Sequence, residues 1–195
     1  MSHAPPSVVI LAGPNGAGKS TVAPALLRGA LAVTEFVDAD VIARGLSAFN
    51  PESVSIAAGR VMLARLRELS ERRESFAFET TLASRSFARW LRDLRTSGYE
   101  IHILFLWLPS ADFAVDRVAA RVRSGGHDVP AGTVRRRYRA GLRNFFSLYQ
   151  PIAATWAVYD ASGPEPRLVA DRLAPEPLRV YDESVWASAR RLGMP

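Results

Sequence analysis

The sequence predicts an α/β protein of three layers, with helices covering both faces of a mostly parallel central sheet. Three observations predict it: short apolar runs recur between helical stretches, breakers separate them, and a glycine-rich loop joins the first run to the first helix. Parallel neighbours need connections of a dozen or more residues, so each intervening helix serves as a crossover. With 195 residues, 48% of them hydrophobic, the chain can bury one substantial core. We expect one domain over residues 1–174 and a helical tail, 175–195, packed on it.

In chain order, Ser7 to Ala12 reads SVVILA, a short buried strand, and a helix runs from Lys19 to about Gly29. Thr34 to Asp38 is a second strand, followed by helices over Val41 to Leu46 and, past Asn50-Pro51, over Glu52 to Arg73. In the longer one, Ile56, Val61, Leu63, Leu66 and Leu69 recur at spacings that suit a helical face. Ser75 to Glu79 is a third strand, and the helix Ser86 to Ser97 ends at Gly98, a suitable C-terminal cap. Ile101 to Leu108 is the most apolar strand and should be central. Helices over Ala111 to Arg123 and Ala131 to Tyr149 enclose the breaker-rich segment SGGHDVP, which reads as a mobile flap over about residues 121–137. Strands Trp156 to Tyr159 and Arg167 to Ala170 flank a turn from Asp160 to Pro166, and one amphipathic helix is expected from Pro175 onward.

Composition excludes several classes of function. The longest apolar run, Ile101 to Pro109, is far shorter than the roughly 20 residues that span a bilayer. Met1 to Ser7 has no basic segment followed by an apolar one, so a cytoplasmic location is the default expectation. With no cysteine, disulfides, thiolate catalysis and cysteine zinc sites are excluded. The net charge of +6 comes from arginine, since Lys19 is the single lysine among 25 basic residues. That excess fits either a GC-rich coding background or a surface that steers anionic ligands.

Gly13 to Ser20 reads GPNGAGKS, with the spacing G-x-x-x-x-G-K-S between a buried strand and a helix. Such a P-loop wraps backbone amides around a β-phosphate, its glycines allow close approach, and the helix N-terminus adds partial positive charge. Gly13, Pro14, Asn15, Gly16, Ala17 and Gly18 form the cradle; Lys19 reaches the β- and γ-phosphates, Ser20 holds Mg2+, and Thr21 contacts the α-phosphate. The fold is therefore expected to be P-loop NTPase- or kinase-like, with ATP and Mg2+ as cofactors.

Ligands in such sheets lie at the carboxyl ends of the strands. Asp38 and Asp40, Glu79 with Thr80 and Thr81, and Asp160 all follow predicted strands. Asp38 and Asp40 straddle Ala39, and extended backbone would point both the same way. One of them can deprotonate an acceptor hydroxyl, with Asp40 the favoured one, and Asp38 or Asp40 can cap the next helix; the two roles can coexist. Glu79, Thr80 and Thr81 offer a carboxylate and two hydroxyls for a polyhydroxylated acceptor, or for ordering Mg2+ through water; Arg60 is assigned to the same acceptor side. The central strand ends without an acid, so Asp38, Asp40 or Glu79 must replace the magnesium-orienting aspartate of many P-loop ATPases. Asp160 is assigned to the nucleotide.

Arg117, Arg121 and Arg123 precede the glycine pair of the flap, and Arg135, Arg136, Arg137, Arg139 and Arg143 follow it. Closing the flap would bring guanidinium groups over the triphosphate, where they neutralise charge developing in transfer. Arg121 and Arg136 are the preferred site members; at least half of these arginines read as a solvated basic face. His127 reads as structural.

Together the P-loop, VDAD followed by VIA, SFAFETTLAS at residues 75–84, GGHDVP at 125–130 and YDAS at 159–162 resemble the zeta-toxin family, over residues 7 to about 171. Members of that family are P-loop kinases, and the best understood phosphorylate the 3'-hydroxyl of the sugar in UDP-N-acetylglucosamine. The resemblance implies that Asp40 is the base, that Lys19 and Ser20 bind ATP and Mg2+, that Glu79 and Thr81 face the acceptor, and that Arg121 contacts phosphates. His127 stands where the better-known toxins place a second arginine, which moves that role to Arg136 or Arg137. Two other readings stay open: a nucleotide-dependent switch that binds an acidic antitoxin over the flap, and a nucleotide or RNA kinase, ranked lowest because few aromatics interleave the basic residues. No membrane partner is expected.

Overall fold

A computed structural model describes residues 4–25, 33–126, 128–173 and 175–194. One sheet of seven strands forms its centre, in the order β2-β3-β1-β4-β5-β6-β7. The strands are β1 (Ser7–Ala12), β2 (Glu35–Val37), β3 (Phe76–Thr80), β4 (Glu100–Trp107), β5 (Thr155–Asp160), β6 (Arg167–Leu173) and β7 (Arg179–Val180). From β2 to β5 every pairing is parallel, while β6 and β7 add antiparallel edges. The most apolar strand, β4, occupies the middle position as its composition requires, with Ile101, Ile103 and Leu106 fully buried.

The helices are α1 (Lys19–Ala23), α2 (Ala39–Leu46), α3 (Ser55–Glu71), α4 (Ser86–Thr96), α5 (Ala111–Arg123), α6 (Ala131–Asn144) and α7 (Glu183–Gly193). The expected continuation of α1 to Gly29 lies outside the described residues. Two differences from the sequence expectation have local causes. The helix read through Tyr149 gives way to a π turn over Phe145–Tyr149, which packs Phe145 against Phe105 and Trp156. The stretch read as one helix from Pro175 divides into β7, held by the Arg179–Asp171 ion pair, and α7, whose first turn is capped by Asp182. Trp186 of α7 stacks on Trp156, so this segment joins the same core. Among the described residues no helix is long and apolar enough to cross a membrane.

Helix α6 is tied to the sheet along one face. Val134, Tyr138 and Gly141 recur at helical spacing on its buried side, and the Tyr138 hydroxyl donates to the Leu108 carbonyl at 2.8 Å. Gly141 sits directly against the Thr81 carbonyl, leaving no room for a Cβ. Asn144 Nδ2 donates to the carbonyls of Leu82 (2.8 Å) and Ala83 (3.2 Å), and the Tyr149 hydroxyl donates to that of Ser84. The loop leaving β3 is thus gripped by α6 and by the π turn at its end.

Candidate active site

The phosphate-binding loop leaves β1 at Gly13, whose φ of 142° and contact with the Leu106 carbonyl admit only glycine. Gly16 (φ 81°) packs its backbone on α5, where a Cβ would meet the Arg117 Cβ at 2.9 Å. The loop then enters α1, where the amides of Thr21 and Val22 donate to the Gly18 carbonyl. Lys19 is buried, with Nζ donating to the Pro14 carbonyl at 3.0 Å and lying 3.4 Å from Glu79 Oε1. Ser20 Oγ donates to the other carboxylate oxygen of Glu79 at 3.0 Å. One acidic side chain from the end of β3 therefore bridges both P-loop residues expected to handle the terminal phosphates and Mg2+.

The hydroxyl of Ser20 and the carboxylate of Glu79 are hard oxygen donors side by side. They suit a small divalent cation that keeps most of its coordination shell as water and phosphate oxygen. Among the described residues no group of three His, Cys, Asp or Glu is gathered into an all-protein metal cage.

The two aspartates after β2 divide their tasks. Asp38 is the N-cap of α2, its Oδ1 accepting from the Asp40 amide at 2.7 Å, so they do not extend as alternating strand residues. Asp38 is 5% exposed, and its Oδ2 has no hydrogen-bond partner among the described residues. Burial above all, and the neighbouring charge of Glu79, hold its carboxyl above the usual range. Capping by Asp38 leaves the half-buried Asp40 carboxylate, in the first turn of α2, turned to the cleft.

Three cavities meet at Asp40. The first, about 250 Å³, is lined by Asn15, Gly16, Gly18, Lys19, Ser20, Thr21, Glu79, Arg117 and Arg121 as well as Asp40. A second, about 290 Å³, adds Asp38, Thr80, Thr81, Ser84 and Arg137 around Asp40, Lys19 and Glu79. A third, about 360 Å³, opens between α2 and the segment entering α6, with Glu52, Ser55, Asp128, Thr133 and Arg137 facing Asp40. Both threonines also close turns of their own loop, Thr80 Oγ1 accepting from the Leu82 amide and Thr81 Oγ1 from that of Ala83.

Not every candidate comes to this place. Arg136 is exposed and donates to Thr133 Oγ1 at 3.4 Å, while Arg137 lines two of the three cavities. Helical spacing could have distinguished them: Arg137 flanks the buried Val134 and Tyr138 stripe, and Arg136 projects roughly opposite it. Arg60 is exposed on α3 and lines none of the three cavities. Asp160 is buried at the end of β5, but its oxygens are occupied, one accepting from the Ser162 amide at 2.9 Å and the other from Arg167 at 3.1 Å. Its work is to hold the 160–167 turn. Arg117, missed as a site member, lies over the Phe113 ring and reaches the Ser162 carbonyl at 3.5 Å while bordering the P-loop cavity. Glu52 and Asp128 were also missed, since the first reads as a helix-start acid and the second as a loop residue. His127 lies outside the described residues.

Comparison with known proteins agrees with this architecture. A family model described as an AAA domain matches residues 8–148. An uncharacterized protein of Haemophilus influenzae is 28% identical over 130 residues, covering 67% of this chain and 91% of that protein. The solved AvrRxo1-ORF1:-ORF2 complex with ATP contains a chain that superposes with a TM-score of 0.76 at 15% identity, over 97% of this chain and 64% of that one. This chain therefore spans under two thirds of that neighbour. The PezAT chromosomal toxin–antitoxin system of Streptococcus pneumoniae gives a TM-score of 0.68 at 16% identity, over 98% of this chain and 80% of the matched one. The resemblance to zeta-toxin kinases read from the motifs thus extends to the fold. A P-loop between β1 and α1, a mostly parallel sheet and a match over residues 8–148 place this chain in the AAA-domain family, with the architecture of a P-loop kinase.

Proposed function

We propose that this chain is an ATP- and Mg2+-dependent phosphotransferase that moves the γ-phosphoryl group to a hydroxyl of a small molecule. The observation that carries the reading is the position of Asp40, shared by the P-loop cavity and by both cavities beside it. A base there touches an acceptor on one side and the terminal phosphate on the other, the arrangement that transfer needs and hydrolysis does not. The acceptor oxygen forms the new P–O bond, the bond from the γ-phosphorus to the β–γ bridging oxygen breaks to release ADP, and the hydroxyl proton passes to Asp40. Lys19 exchanges its contact with Glu79 for the phosphates, Arg121 and Arg117 flank the nucleotide cavity, and Arg137 reaches over the transferring group. Ser20 and, through water, Glu79 would hold Mg2+, which would supply neutralisation of the negative charge on the phosphates.

The resemblance to zeta toxins makes a sugar nucleotide such as UDP-N-acetylglucosamine the first acceptor to assay. An acidic antitoxin protein as partner is supported by the likeness to toxin–antitoxin complexes and by the exposed Arg123, Arg136, Arg139 and Arg143. A cytoplasmic location, where ATP and Mg2+ are supplied, goes with this reading. A nucleotide switch without chemistry would have no use for an open cleft lined by Ser55, Thr81, Ser84 and Thr133 beside Asp40, which favours transfer.

The test is incubation of purified protein with labelled ATP, Mg2+ and a panel of hydroxyl compounds, with mass spectrometry of the products. A phosphorylated acceptor that disappears with Asp40→Asn is expected. ADP formed equally with and without every acceptor, and no phosphorylated product, overturns it.

A further inference from the structure

The charges around Asp40 are sorted by side. Among the described residues, the P-loop cavity sets Lys19, Arg117 and Arg121 against Asp40 and Glu79, whereas the cleft toward α2 sets the carboxylates of Asp40, Glu52 and Asp128 against one guanidinium, that of Arg137. The cavity between them is also lined by Asp38, 5% exposed, whose buried Oδ2 has no hydrogen-bond partner among the described residues. Its cations are Lys19 and Arg137, the two that face the phosphates in the reaction proposed above. Once the nucleotide claims them, the charged groups left on the acceptor side are, among the described residues, carboxylates. This happens in a chain of net charge +6, whose average surface would favour the opposite sign.

Resting on the phosphotransferase reading, we infer that the acceptor is a positively charged, amine-bearing polyhydroxyl compound. Its ammonium group sits between Asp128 and Glu52, and its reacting hydroxyl lies on Asp40. The hydroxyls of Ser55 and Thr133 line the same cleft and serve its remaining hydroxyl groups. An acceptor with its own diphosphate would bring two negative charges into a cleft already lined by three carboxylates, with its one guanidinium committed to the γ-phosphoryl group. An amine meets complementary charge instead, partly shielded from water, where a charge-assisted hydrogen bond is shorter and stronger.

The experiment uses the full chain with ATP and Mg2+ and offers glucosamine, kanamycin and 1-amino-1-deoxyglucitol. Each is set against its N-acetylated form, which keeps the hydroxyls and loses the charge, and against UDP-N-acetylglucosamine. Phosphorylated product is followed by mass spectrometry, and binding by calorimetry with a non-hydrolysable ATP analogue. At least one free amine is expected to show a KM about tenfold below that of its acetylated partner. Glu52→Gln and Asp128→Asn should raise the KM for the amine several-fold more than that for the acetylated form. Preference for an acetylated compound or for UDP-N-acetylglucosamine overturns the inference and leaves the phosphotransferase reading standing. Tight amine binding, lost in Glu52→Gln, without any phosphorylated product does the reverse. Neither binding nor transfer of any amine overturns the inference.

Discussion

Glu79 and Lys19 form a buried ion pair at the end of β3, Nζ to Oε1 at 3.4 Å, and the same carboxylate accepts from Ser20. The P-loop lysine is thereby neutralised by a residue some sixty positions along the chain, in a place where triphosphate must later compete for it. Removing Glu79 leaves Lys19 with the Pro14 carbonyl as its remaining partner. Glu79→Gln should lower unfolding free energy by about 1–3 kcal/mol. Saturating ATP and Mg2+ should recover most of that loss, because phosphates supply the missing negative charge. Denaturant titrations with and without nucleotide measure both; an equal deficit in the two conditions would refute the exchange.

Asp38 gives a pH-dependent prediction. Burial raises its folded pKa above the ordinary 3.8, with the charge of Glu79 acting the same way. The stability it contributes is therefore fully present below the ordinary value and is lost as pH rises through the raised one. Asparagine caps helices as well as aspartate and carries no charge. Asp38→Asn should melt higher than the unsubstituted protein at pH 7, with the gap closing as the solution is acidified below pH 4. Thermal melts of the nucleotide-free protein across that range check the sign.

Asp40→Asn should lower transfer by about 10²–10⁴-fold, the usual contribution of a positioned base. ATP affinity should be retained, since the phosphate cradle is built by the P-loop. Nucleotide titration beside product assay separates the two effects.

Arg137 and Arg136 form an internal control. Arg137→Ala should reduce kcat by about 10²-fold, as for loss of a charge-stabilising group. Arg136→Ala, on the exposed face, should leave folding stability within about 0.5 kcal/mol and turnover nearly unchanged. Equal effects on turnover would remove Arg137 from the site.

Gly141→Ala drives a methyl group into the Thr81 carbonyl. The loop or the helix has to shift, costing about 1–3 kcal/mol, and Glu79, Thr80 and Thr81 shift with it. A lower urea midpoint together with reduced transfer is expected; reduced stability alone would mean the loop moves without disturbing the site.

Much of this was legible in the sequence because its signals are local. The P-loop follows from spacing between a buried run and a helix, and the central place of β4 follows from its apolar length. The division of labour between Asp38 and Asp40 was not, because it depends on α2 starting at Ala39 instead of Val41, a shift that replaces strand geometry with a cap. Asp160 stands at a strand end as expected, but its partners Arg167 and Ser162 are brought there by the turn, which no local pattern shows. Arg137 was named only as the alternative to Arg136, although the buried Val134 and Tyr138 stripe already orients the helix and could have ranked the two. The two-residue β7 carries too little pattern to be read at all.

Helix α6 has two anchorages with different duties. Near its start it carries Thr133 and Arg137 along the cleft; at its end, Gly141 and Asn144 are bolted to the loop beyond Glu79. Its 14 residues make a rod about 20 Å long. Between those ends the buried Val134, and Tyr138 on the Leu108 carbonyl, pin the rod to the sheet. The helix that walls the cleft with Thr133 and Arg137 is thus the one that fixes the backbone of Thr81, Leu82 and Ala83, so the wall and the floor of the cleft belong to one rigid piece.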